Sequence, residues 1–124
     1  MEMREGRLTE EFRTRTKRFA ASVIHLFVQL PKNRDECLVC GKQMLRSGTS
    51  VAAHVREASR ARSDAEFVSK LGGALQEADE TQLWLELLRE DCGIDPAMGL
   101  PIEQKADELI AIITTMIRRT GGKR

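Results

Sequence analysis

Between Cys37 and Ala58 the chain reads CLVCGKQMLRSGTSVAAHVREA, and its small or apolar residues Cys37, Gly41, Met44, Gly48, Val51, Val55 and Ala58 alternate spacings of four and three. That rhythm is the buried stripe of a helix packed at a shallow angle on its neighbours. The same rhythm occurs three more times. Before it stand Phe12, Thr16, Phe19, Val23, Leu26 and Leu30, closed by Pro31, which cannot continue a helix. After it stand Phe67, Leu71, Ala74, Ala78, Thr81, Leu85 and Leu88, introduced by Ser63-Asp64 as N-cap with Glu66 in the first turn and ended near Cys92-Gly93. Last come Ile102, Ala106, Leu109, Ile113 and Met116, with Pro101 suited to a first helical position.

Four such stretches joined by short linkers predict an all-α chain, an antiparallel up-down-up-down four-helix bundle. The expected helices run over about 8–30, 34–62, 64–91 and 101–119, in one domain of 124 residues, a length that can bury a core without staples. Composition agrees: there are four Phe, one Trp, no Tyr and three Pro, the composition of a helical rather than a β-rich chain. The polar start Met1-Glu2-Met3-Arg4-Glu5 is not a signal peptide and no run is long enough to span a membrane, so a cytoplasmic protein without membrane partner is expected. Cys37, Cys40 and Cys92 are an odd set, read as reduced thiols.

Net charge is +1, yet charge is strongly segregated. Residues 1 to 62 carry thirteen Lys/Arg against seven Asp/Glu, residues 63 to 117 carry three against twelve, and residues 118 to 124 add four basic residues. At about 100° per residue, Lys42, Arg46, Arg56 and Arg60 fall within an arc of about 80° opposite the buried stripe of the second helix. A basic stripe about five turns long is either a surface that tracks phosphates or an ordinary solvated face. A second anomaly concerns apolar residues. Leu83, Trp84 and Leu87 lie outside the stripe of the third helix, and Ile24 and Val28 outside that of the first, so two helices carry a second apolar face, the mark of a subunit contact. Gly41 and Gly48, on the buried face of the second helix, predict close helix approach, whereas Gly72-Gly73 marks a possible kink in the third.

Catalytic constellations are weak. Cys37-Leu38-Val39-Cys40 with His25, His54 and Cys92 lacks the second paired motif of a structural zinc site. The clusters Glu77, Asp79, Glu80 and Glu103, Asp107, Glu108 lack the ExxH pairs of a di-iron bundle and read as solvated faces. His54 with Ser47, Ser50 or Glu57 has neither an oxyanion hole nor an orienting third group. No catalytic residue, cofactor or metal is therefore expected.

The run Arg46-Ser47-Gly48-Thr49-Ser50-Val51-Ala52-Ala53-His54-Val55-Arg56-Glu57-Ala58 resembles the signature of the four-helix bundle family named after proteins encoded in intervening sequences of large-subunit ribosomal RNA genes. Phe12, Phe19-Ala20, Leu30-Pro31, Glu66-Phe67, Lys70-Leu71, Glu77-Ala78-Asp79-Glu80-Thr81 and Trp84-Leu85-Glu86-Leu87-Leu88 are similar to that family too. His54 stands where the motif usually has Asn, and Gly41, Gly72, Gly73, Cys37 and Cys40 are further departures. The resemblance implies a bundle assembled into a homopentameric ring, with kinship to the accessory proteins of diversity-generating retroelements, basic pentamers that bind nucleic acid and a reverse transcriptase. It implies no enzymatic activity. Residues and resemblance together predict an oligomer that binds RNA or DNA chiefly through Arg46, Arg56 and Arg60, with Lys42, Arg13, Lys17 and Arg18 as further contacts. The competing expectation is a scaffold whose basic half meets the acidic half of a neighbouring subunit or of a partner protein.

Overall fold

The computed structural model describes residues 6–122. Four helices follow one another, α1 over Glu10–Gln29, α2 over Asp35–Ser59, α3 over Asp64–Glu90 and α4 over Pro96–Ile117, and a π-helical turn, Arg118–Gly122, prolongs the last. Each helix packs on its neighbour in sequence, and α1 also meets α4, which closes an all-α four-helix bundle.

Local chemistry sets the helix ends. Thr9 accepts from the Phe12 N–H at 3.1 Å, and Glu10 and Glu11 follow in the first turn, where the helix dipole favours acid. At the other end of α1 the Lys32 ammonium donates to the Phe27 and Leu30 carbonyls at 2.8 Å and sits 4.8 Å from the Phe27 ring centre. Ser63 accepts from the Glu66 N–H at 3.0 Å while the Glu66 carboxylate reaches back to the Arg62 N–H at 2.8 Å, a reciprocal cap on α3. Gly93, at φ +72°, lets the chain turn back after α3, where the Cys92 and Ile94 N–H groups bond the Leu87 and Leu88 carbonyls.

Helix α4 begins earlier than its apolar pattern predicts. Asp95 accepts from the Ala97 N–H at 3.0 Å and Pro96 occupies the first helical position, so Asp95-Pro96, rather than Pro101, is the start signal. Pro101 then lies inside the helix and deprives the Ala97 carbonyl of its intrahelical donor. Both residues are exposed, so water can replace that bond.

Every stripe residue of α1, α2 and α3 is buried, and Ile102, Ala106, Leu109 and Ile113 of α4 join them, with Met116 only half-buried. The glycines explain how closely the helices meet. A Cβ on Gly48 would stand 2.8 Å from Val23, and one on Gly41 2.7 Å from Leu30, so the side chains of Val23 and Leu30 pack directly on the α2 backbone at these glycines. Helix α3 runs through Gly72 and Gly73 without a break, and a Cβ on Gly73 would stand 3.0 Å from the His54 ring. The imidazole thus takes the space that a larger residue at 73 would fill.

Candidate nucleic-acid interface

Helix α2 runs along the bundle between α1 and α3, and its outer face is where the predicted basic residues diverge. At its C-terminal end, Arg56 and Arg60 face Arg13 and Lys17 of α1 across a groove of about 740 Å³ floored by Thr16, Ala52, Ala53 and Val55. Arg62, from the α2–α3 loop, and Lys70 of α3 extend the same wall. Six cationic side chains and two carboxylates, Glu57 and Glu66, therefore line one concavity.

Both carboxylates are already engaged. Glu66 caps α3, and Glu57 lies 3.3 Å from the Lys70 ammonium and 3.4 Å from Nδ1 of His54. Among the described residues, Arg13, Lys17, Arg56 and Arg60 have no ion-pair partner. Nε of Arg13 is buried and makes no hydrogen bond, so one donor of the groove is desolvated and unsatisfied in the free protein. Ala52 and Ala53 are the small members of the lining, and polar groups can approach α2 closely beside them.

Arg46 has a different environment. Its guanidinium bonds both oxygens of Glu77, at 3.2 and 3.3 Å, and Glu80 at 2.6 Å. Glu80 also accepts from the Trp84 indole N–H at 3.2 Å. The indole donor, then the Arg46 guanidinium, hold the Glu80 carboxyl below the usual carboxylate range, and the two carboxylates push Arg46 above its ordinary value. Arg46 is thus a fastening between α2 and α3. Its neighbours in the signature are structural as well. Ser47 is buried and accepts from the Thr81 hydroxyl at 2.8 Å, Gly48 lies against Val23, Thr49 donates to the Leu45 carbonyl at 2.8 Å, and Val51 and Ala58 are core. Ser50 is half-buried.

Lys42 is exposed further along α2 and does not line the groove. Arg18 lines a separate concavity of about 560 Å³ between α1 and α4, where Glu10, Glu11 and Glu108 oppose Arg15 and Lys105. Residues that sequence reasoning missed are Arg62 and Lys70: one sits in a loop and the other is an isolated base in an acidic helix, and only the packing of α3 on α2 brings them to the groove.

The acidic clusters are less solvated than their pattern predicts. Glu103 is buried and receives two bonds from Arg89, at 3.0 and 3.1 Å, while Glu77 carries Arg46. Among the described residues, no group of three or more His, Cys, Asp or Glu is placed to hold a metal. Cys37 and Cys92 are buried free thiols, both pushed up by desolvation, and Cys40 is half-buried. No helix of the described residues is long and apolar enough to cross a membrane. Of the second apolar faces, Ile24, Val28 and Leu83 are 42, 69 and 48% exposed. Trp84 and Leu87 are half-buried, Trp84 against the core. Val39 and Leu100 are additional exposed apolar side chains.

Comparison with known proteins agrees with this architecture. Residues 10–115 match the family model described as 23S rRNA-intervening sequence protein. A solved structure from Bacteroides thetaiotaomicron, a protein with unknown function from the S23 ribosomal protein family, is 36% identical and superposes with a TM-score of 0.78, covering 86% of this chain and 97% of that one. None of the curated proteins matches the chain.

Proposed function

We propose that the chain, which belongs to the 23S rRNA-intervening sequence protein family, is a non-enzymatic, self-associating bundle that binds the phosphate backbone of RNA or DNA in the groove between α1 and α2. The observation that carries this reading is the gathering in one groove of Arg13, Lys17, Arg56 and Arg60, which have no ion-pair partner among the described residues, whereas Arg15, Arg46 and Arg89 are each paired with a carboxylate of another helix. Clustered cations repel one another, and a polyanion that enters the groove relieves that repulsion while displacing its own counterions. Arg46, tied to Glu77 and Glu80, takes no part in this role, and Lys42 and Arg18 contribute only to the surrounding field.

Self-association rests on Ile24, Val28 and Leu83, apolar side chains left in water on opposite parts of the bundle. The homopentameric ring implied by the family resemblance is a proposal of the same kind. A second reading, in which the basic half of one subunit meets the acidic half of a neighbour or of a partner protein, is favoured by the same four cations and by the exposed Asp79 and Glu90 on α3.

One experiment separates the two. The Arg56→Glu, Arg60→Glu double variant is followed by filter binding at several salt concentrations and by light scattering. An unchanged oligomer that has lost nucleic-acid binding supports the groove as a phosphate site; dissociation of the oligomer assigns these arginines to assembly instead. If the wild-type chain binds neither RNA nor DNA at low salt, the phosphate reading fails. Leu83→Asp, read by the same scattering measurement, is expected to lower the oligomer mass, and an unchanged mass would remove α3 from the interface.

A further inference from the structure

The groove differs from a single-strand binding surface in one respect, which is where the aromatic side chains are. The chain has four Phe, one Trp and no Tyr. Phe12, Phe19 and Phe67 are buried in the bundle. Phe27 is half-buried beneath the Lys32 ammonium, and Trp84 is half-buried beside Glu80 on the α3 side of α2. None of the five lines the groove. Proteins that hold single strands stack bases on exposed rings, and that stacking supplies much of their affinity. This groove has no ring to offer a base.

We infer that, granted the phosphate reading above, the groove takes double-stranded nucleic acid in preference to single strands, and takes it without regard to sequence. Three features of the site lead there. Its cations come from two helices, Arg13 and Lys17 from α1 and Arg56 and Arg60 from α2, around one concavity. Cations from two helices suit a ligand with phosphates on two sides. The second feature is the engagement of both carboxylates, Glu57 by Lys70 and Glu66 by the α3 cap, which leaves little acceptor capacity for reading base edges. The third is chemical type. Lys and Arg on a solvated, concave surface contact phosphate, and phosphate contacts position a ligand without carrying sequence information.

Charge density then ranks the ligands. A duplex carries one charge per about 1.7 Å of axis, and each neutralised phosphate releases more counterion than in a single strand, with salt slopes of about −0.9 against about −0.7 per contact. With four groove cations engaged, lowering salt from 200 to 50 mM is expected to tighten duplex binding by about 150-fold and single-strand binding by about 50-fold.

The test is fluorescence anisotropy of the full chain with a labelled 20-base-pair duplex, each of its separated strands, and a duplex of scrambled sequence, between 50 and 200 mM salt. The expected result is at least tenfold tighter binding to the duplex at 50 mM, equal affinity for both duplex sequences, and a salt slope that falls by about one unit in Arg13→Gln and again in Arg56→Gln. Single strands bound as tightly as the duplex, or a strong preference between the two sequences, overturns the inference while leaving a phosphate groove in place. No binding to any of the probes removes the groove reading and the inference together.

Discussion

Two glycines within one bundle are expected to respond oppositely to the same added methyl. At Gly48, the Cβ of alanine would lie 2.8, 2.9 and 3.1 Å from Cγ2, Cγ1 and Cβ of Val23. No rotamer of Val23 can retreat, because its Cβ is itself in the collision, so α1 and α2 must separate by several tenths of an ångström. Overpacking of this kind costs about 2–3 kcal/mol, and the better helix propensity of alanine returns about 1 kcal/mol, leaving a net loss of about 1–2 kcal/mol. At Gly72 an added Cβ meets nothing within 4 Å, so only the propensity gain of about 1 kcal/mol remains and Gly72→Ala stabilises. For a domain of this size each kcal/mol moves Tm by about 3–6 °C, so thermal unfolding followed by circular dichroism at one fixed protein concentration resolves both changes. In a Val23→Ala background the collision disappears, and Gly48→Ala is expected to become stabilising. A Gly48→Ala protein as stable as the parent, or a destabilised Gly72→Ala, would show that α1 and α2 do not meet as closely as described.

Two further outcomes follow from the α2–α3 fastening. Arg46→Gln is expected to cost about 1 kcal/mol of stability, the upper end for an ion pair whose arginine is half exposed, since the Glu77 side chain it leaves is only 19% exposed. Its affinity for nucleic acid should stay within about twofold of the parent, in contrast to Arg56→Gln. A large binding defect at Arg46 with unchanged urea stability would reverse its assignment. Glu80 supplies the pH dependence. Its folded pKa is depressed, first by the Trp84 indole and then by Arg46, so its stabilising effect is complete above the ordinary carboxylate value of about 4.5 and fades as pH falls through the lower folded value. Trp84→Phe removes the leading donor. Urea unfolding should therefore show a stability deficit for the variant at pH 6 that shrinks by pH 3, and a deficit independent of pH would mean that the indole acts through packing alone.

The bundle was legible because burial imposes a period: alternating spacings of three and four admit few interpretations, and the positions so picked out in α1, α2 and α3 are buried without exception. Gly41 and Gly48 were legible for a related reason, since a residue that costs helix propensity on a buried face implies a compensating close approach. The start of α4 was misread because two prolines compete there, and the cap of Asp95 outranks the apolar periodicity that begins at Ile102. The role of Gly73 could not be read at all. Its partner is His54, nineteen residues earlier on another helix, and a void shaped for an imidazole leaves no local periodic trace.

The basic stripe shows where such reading ends. Lys42, Arg46, Arg56 and Arg60 are equivalent on a helical wheel, because a wheel knows only the helix that bears them. Tertiary packing divides them by what the neighbouring helix presents at each level. Level with Arg46, α3 carries Glu77 and Glu80, and the guanidinium becomes a cross-link. About three to four turns later α1 presents Arg13 and Lys17, and α3 presents Lys70 with a carboxylate already in use, so Arg56 and Arg60 share a concavity with charges of their own sign. A fold selected for stability alone has no reason to gather unpaired cations around one concavity, since each adds repulsion that a single acidic substitution would relieve. Stability does explain Arg46. It does not explain the groove, and that difference is why the groove, rather than the signature residue, is the place to look for a ligand.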